Sequence, residues 1–245
     1  MNDKSDSDLR KEAEGWLSSN FPRFFELYQW SNKADPRNYF NFKELFPIAY
    51  LGAQSYAQLE SYLTKLDSLA WEKLRSKALP FVSADDPSRR YQQLFSTLDE
   101  ARGYVFLADQ GYEDIEFVEP QKRKKGSPPS PDLSAMKAGS TAILEVKTIN
   151  ESDACLAPDA PWRHGTITVS PNLSDEFKSK LLSTIGQARN QLDSYPQPSD
   201  RKIVLLVVRF DHGQKTSGHL YVELERFLAS QVVNAGVEVY HQATL

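Results

Sequence analysis

The stretch STAILEVK, residues 140–147, places Glu145 and Lys147 at the end of a run of good strand formers. Side chains alternate faces along a strand, so Glu145 and Lys147 share a face with Ile143. Ala142, Leu144 and Val146 take the other face. Opposite charges on an apolar strand are costly unless they pair with each other or bind something. The pair is therefore a buried structural ion pair or a site. Pro131-Asp132 lies upstream, at the start of a second strand-like run, PDLSAMK, and Ala138-Gly139 between the runs reads as a short turn. In such a hairpin Asp132 comes to the same end of the sheet as Glu145 and Lys147.

The surrounding elements support that placement. YQQLFSTLDEARGYVFLADQGY, 91–112, reads as one helix with apolar positions 91, 94, 95, 98, 101, 105 and 108, stopped by Gly111. EDIEFVE, 113–119, alternates as a strand. A long polar segment, 150–172, follows the second hairpin strand. LSDEFKSKLLSTIGQARNQLDSY is then a helix with Ser174 as N-cap and an apolar stripe at 177, 181, 185, 188, 192 and 195. RKIVLLVVRF is a continuous apolar strand of the kind buried on both faces of a sheet. HLYVELERFLASQ reads as a helix and VEVYH as a last strand. From residue 86 onward this is an α/β domain. Residues 1–85 read differently. The first eight are charged and frayed, and Leu9 to about Leu79 is helical, broken by Pro22, Pro36 and Pro47. The expectation is an all-helical extension over 1–85, its aromatic residues forming a core rather than a base-stacking platform.

Pro131-Asp132 followed by Glu145-x-Lys147 resembles the active-site signature of the PD-(D/E)xK phosphodiesterases, the restriction-endonuclease-like nucleases. Pro158-Asp159 with Glu176 and Lys178 satisfies the same pattern, but there the charged pair falls in the first turn of a helix and points in different directions. The family core is helix, three strands, helix, strand, and the chain has that order from about 90 to 210. The resemblance implies a metal-dependent nuclease, with DNA a better candidate substrate than RNA. Hydrolysing a phosphodiester requires neutralising phosphate charge and making a nucleophile from water. By resemblance, Asp132 and Glu145 supply hard oxygen ligands to Mg²⁺, with Mn²⁺ able to substitute and the Val146 carbonyl between them. Lys147 orients the attacking water or stabilises the developing charge.

Further positions match what the family often carries. Its first core helix usually presents a carboxylate, and Glu100 fits, one turn before Tyr104; Asp99 points elsewhere. Members often place a Gln on the helix after the ExK strand, and Thr184, Gln187 and Gln191 form one line beside the apolar stripe, with Lys180 a turn earlier. Either Gln187 or Gln191 can hold the water or touch the phosphate. Four residues after Gln187 stands Gln191 rather than the Tyr of the RecB-like Gln-xxx-Tyr version, so no subfamily is assigned. The run Lys122-Arg123-Lys124-Lys125 enters the loop before Pro131 and could guide a phosphate backbone, each neutralised phosphate adding salt-sensitive affinity. Trp162, Arg163 and His164 lie in the long polar segment, where they could close over substrate.

Bulk composition narrows the alternatives. The 245 residues are 40% hydrophobic and 25% charged, which is ordinary for a packed globular chain. A net charge of −4 provides no general pull toward nucleic acid or an acidic membrane, although a local basic channel remains compatible. The single cysteine, Cys155, excludes an internal disulfide or a cysteine-based zinc site. His164, His212, His219 and His241 lack metal-ligand spacing. No Gly-rich phosphate loop supports a nucleotide-driven motor. A polar start and the lack of a membrane-length apolar run predict a cytoplasmic protein without a membrane partner. The expected partners are nucleic acid and, through the N-terminal helices, a protein. The alternative is a nuclease-like fold that no longer cuts and serves as a nucleic-acid or protein interaction module.

Overall fold

The computed structural model describes residues 5–40, 54–83, 91–119, 130–150, 172–209, 214–231 and 236–243. The chain forms two compact units, Met1–Arg102 and Gly103–Leu245. The boundary expected at 85/86 lies outside the described residues, as do Pro47 and the basic run 122–125.

The first unit contains α1 (Asp6–Asn20), α2 (Pro22–Trp30), α3 (Gln54–Leu63), α4 (Ser68–Val82) and α5 (Gln92–Leu98). Among its described residues there is no strand. Helix α1 starts earlier than the hydrophobic pattern suggests, because Ser5 accepts the Asp8 N–H at 3.3 Å. Residues 6–8 are thus helical rather than frayed. Pro22 begins α2, where its missing N–H costs nothing. Phe21 gives that helix no side-chain cap. Glu60 of α3 does so instead, accepting the N–H groups of Arg23 at 2.8 Å and Phe24 at 3.2 Å. Burial raises the Glu60 carboxyl above its ordinary pKa despite these donors. Phe24, Tyr28 and Phe40 are buried and meet edge to face, whereas Trp30 is exposed.

The helix anticipated over 91–112 is two helices. It breaks at Asp99, and α6 (Glu100–Asp109) starts there and crosses into the second unit. The Arg102 N–H donates to the Asp99 carbonyl three residues back, and Arg102 Nε bonds the Asp99 carboxylate at 3.1 Å. Both side chains are buried, so this local ion pair tightens the turn that divides the helices. Gly111, at φ +76°, follows the end of α6.

The second unit continues with β1 (Glu113–Phe117), β2 (Leu133–Lys137), β3 (Ser140–Asn150), α7 (Asp175–Asp193), β4 (Arg201–Arg209), α8 (Gln214–Gln231) and β5 (Glu238–Ala243). They form a mixed α/β fold around a five-stranded sheet in the order β1-β2-β3-β4-β5. The first three strands are antiparallel, and β3, β4 and β5 are mutually parallel. Ala138 and Gly139 take φ +50° and +80°, the paired positive values of a tight primed hairpin turn. Ser174 caps α7 by accepting the Phe177 N–H at 3.1 Å. No helix among the described residues is long and apolar enough to cross a membrane.

Both parallel crossovers step the same way along the sheet, so their usual right-handed sense puts α7 and α8 on one face. Phe177, Leu181, Ile185, Ala188 and Leu192 of α7 pack there with Leu220, Leu224 and Leu228 of α8 on Ile143, Ile149, Val204, Leu206 and Val208. The opposite face meets α6 at Gly103. A Cβ there would lie 2.8 Å from Leu133 Cδ1, 2.8 Å from Val146 Cγ2 and 2.9 Å from Leu144 Cδ2. The missing side chain lets α6 approach the hairpin that carries Asp132 and Glu145. Gly103→Ala should therefore lower the melting temperature. Overpacking of about 1–3 kcal/mol outweighs the roughly 1 kcal/mol gained in helix propensity. Thermal unfolding followed by circular dichroism checks this; a melting temperature above wild type would contradict the close approach.

Candidate active site on the hairpin

Strand β3 carries an apolar stripe that is interrupted once. Ile143 and Ile149 join the core beneath α7, and between them on that face stand Glu145 and Lys147. Their parallel partners on β4 are Val204 and Leu206, both fully buried. Glu145 is 2% exposed, so its carboxylate sits in a low-dielectric setting where every bond to it is strengthened. Lys147 donates from Nζ to Glu145 Oε1 at 2.5 Å and keeps a quarter of its side chain accessible. The charges on the apolar strand are therefore paired with each other.

Asp132 stands at the entrance to β2, half-buried. Its backbone is anchored on both sides: its N–H donates to the Leu144 carbonyl at 3.1 Å and its carbonyl accepts the Val118 N–H at 3.0 Å. Its Oδ2 accepts the Val146 N–H at 2.9 Å. That bond ties the Asp132 side chain to the backbone between Glu145 and Lys147. A residue's N–H and carbonyl leave an extended strand on the same side, so the Val146 carbonyl faces the β2 side as well.

Helix α7 completes the cluster. Gln191, near its C-terminal end, donates from Nε2 to Glu145 Oε2 at 2.6 Å and to the Ser130 carbonyl at 2.7 Å. Its Oε1 accepts from Lys147 Nζ at 3.4 Å. The amide orientation follows from its neighbours: an ammonium can only donate, and a carboxylate and a carbonyl can only accept. Gln191 thus bridges Glu145, Lys147 and the residue preceding Pro131.

Of the residues singled out in the sequence, Asp132, Glu145, Lys147 and Gln191 come together. Gln187, one turn earlier on α7, is exposed and makes none of these bonds. Glu100 belongs to the first unit, where its Oε2 lies 2.7 Å from Lys77 Nζ and it is almost wholly buried. The second Pro-Asp match fails locally: Asp159 lies outside the described residues, while Glu176 and Lys178 sit in the first turn of α7. Lys178 there pairs with Glu223 at 3.0 Å. Lys122, Arg123, Lys124, Lys125, Trp162, Arg163 and His164 also lie outside the described residues. Two partners went unforeseen. The Ser130 carbonyl carries no residue-type signal, and Lys77 is 23 positions from Glu100, with no local pattern joining them.

The chain matches no protein-family model and no curated protein. Among solved structures it has a slight likeness, at a TM-score of 0.22 and 13% identity, to Pyrococcus furiosus SfsA in complex with Ca²⁺. The match covers 62% of this chain and 55% of that one. A likeness of this degree carries no argument about fold or function.

The cluster's electrostatics are asymmetric: Lys147 can reach solvent and Glu145 cannot. In a metal-free buffer Lys147→Met should cost more stability than Glu145→Gln. The first leaves a buried carboxylate short of a donor, a loss of about 1–3 kcal/mol. The second leaves an ammonium that rotates into water. Urea unfolding of both variants measures the difference, and the reverse ranking would contradict the buried-carboxylate assignment.

Proposed function

We propose that the chain is a Mg²⁺-dependent nuclease of the PD-(D/E)xK type that hydrolyses phosphodiester bonds, in DNA before RNA. The observation that carries this reading is the Asp132–Val146 bond, which holds one carboxylate beside the segment bearing the second carboxylate and the ammonium. A buried ion pair alone has no need of Asp132, whereas a phosphodiesterase centre needs all three groups. The order helix, three antiparallel strands, helix, parallel strand supports a restriction-endonuclease-like core.

The donor set suits a hard divalent cation. Among the described residues no three or more His, Cys, Asp or Glu side chains group closely enough to enclose a metal. Mg²⁺ does not require such a cage; it commonly takes one or two carboxylates and completes its shell with water and substrate phosphate. Asp132 and Glu145 would hold it, together with the Val146 carbonyl. When bound, the ion neutralises phosphate charge and helps generate the nucleophile from water. Lys147, carried on the same strand face as Glu145, orients that water or meets the charge developing on the phosphate. Asp132 stays aligned through the Val146 N–H, so its position depends on the hairpin rather than on a mobile side chain. The basic run 122–125 precedes this centre in the chain and would add salt-sensitive attraction for the backbone. The N-terminal helices would select substrate or bind a protein partner.

Cleavage of supercoiled, linear and single-stranded DNA in Mg²⁺ or Mn²⁺ tests the reading, with Lys147→Ala purified identically. Lys147→Ala keeps both carboxylates, so its rate should fall by about 10²-fold or more. Equal cleavage by both proteins would place the activity elsewhere. DNA retained but left intact by the wild type would favour the non-cutting interaction module.

A further inference from the structure

We propose that Gln191 is a latch that keeps the site closed to metal until a divalent cation displaces it. This deepens the nuclease reading and rests on the metal roles assigned there to Asp132 and Glu145. In the structure the Gln191 amide N–H points at Glu145 Oε2 from 2.6 Å, while the Lys147 ammonium lies 2.5 Å from Oε1. A cation approaching Glu145 meets donors on both carboxylate oxygens. It must displace at least one of them, or share an oxygen against the partial charge of an N–H.

The two donors differ in what holds them. Lys147 is on the same strand as Glu145 and partly accessible, so it can swing into solvent. Gln191 is fixed by a second bond, from the same nitrogen to the Ser130 carbonyl at 2.7 Å, and is carried on a 19-residue helix. Its oxygen meanwhile accepts from Lys147. The amide therefore withholds Glu145 with its nitrogen and engages Lys147 with its oxygen. Turning the amide to offer oxygen toward a cation would bring its N–H groups against the ammonium, where donor meets donor. Cation binding at Glu145 and release of Lys147 are coupled through this one side chain. Gln191 is a positioning residue in this scheme, acting through Glu145 and Lys147.

The latch makes a prediction opposite to that of a purely structural contact. Gln191→Met preserves length and helix propensity but removes both the donor and the acceptor. Mn²⁺ titration calorimetry should show it binding about tenfold more tightly than wild type, the scale of one lost hydrogen bond to a charged group. Gln191→Ala, a good helix former, should shift in the same direction, and melting curves in EDTA confirm that both variants are folded. A structural brace would show unchanged or weaker Mn²⁺ binding when removed, and either result overturns the latch. Asp132→Asn separates the two levels. Wild-type binding that Asp132→Asn abolishes, with no gain in Gln191→Met, rejects the latch and leaves the metal centre standing. No Mn²⁺ binding by wild type or either Gln191 variant at millimolar metal rejects both.

Discussion

A carboxylate in the middle of an apolar sheet face is the constraint from which the site is built. Glu145 is flanked on its own strand face by Ile143 and Lys147, and across the parallel ladder by Val204. An ionised group in such a place needs compensation of its charge and its lone pairs. Lys147 supplies the counter-charge and Gln191 an amide donor. Asp132 reaches the same segment through the Val146 N–H rather than through Glu145 itself. A strand selected only for stability would put another apolar side chain at 145, as at 143 and 149. The polar interruption is therefore where the chain departs from the best packing, and such departures concentrate at functional sites.

The fold holds that interruption from both sides. Above it, α7 packs its stripe down as far as Leu192, and its register leaves the neighbouring Gln191 at the border of the core, within reach of Glu145. Beneath it, Gly103 lets α6 lie directly on Leu133, Leu144 and Val146, the residues adjoining Asp132 and Glu145 in sequence. The primed turn at Ala138-Gly139 sets the hairpin register that brings Leu133 opposite Leu144. These are rigid elements, and they orient the polar groups more closely than a loop would.

Much of this was legible in the residues. Periodicity marked the buried stripe of α7, Ser174 marked its start, and the alternation of β3 placed Glu145 and Lys147 on one face. Features that depend on distant partners were not legible. Gln187 and Gln191 lie on one helical line; Tyr195, four residues after Gln191, is a local mark that sets the two apart, and the packing of α7 over β3 leaves Gln187 exposed and engages Gln191. The division of the helix at Asp99 coincides with a buried pair to Arg102, while the apolar periodicity continues across it. Gly103 carries no signal in its own neighbourhood, because the side chains it makes room for lie on two strands further along the chain. Ser130 enters through its backbone carbonyl, which no residue type announces.

The most direct measurement is the anomalous difference map of a crystal soaked in Mn²⁺. The expected result is a peak between the carboxylates of Asp132 and Glu145, within coordination distance of the Val146 carbonyl, with the Gln191 amide moved off Glu145. An undisturbed Lys147–Glu145–Gln191 cluster and no peak at saturating Mn²⁺ would contradict the account, leaving Glu145 and Lys147 as a buried structural ion pair.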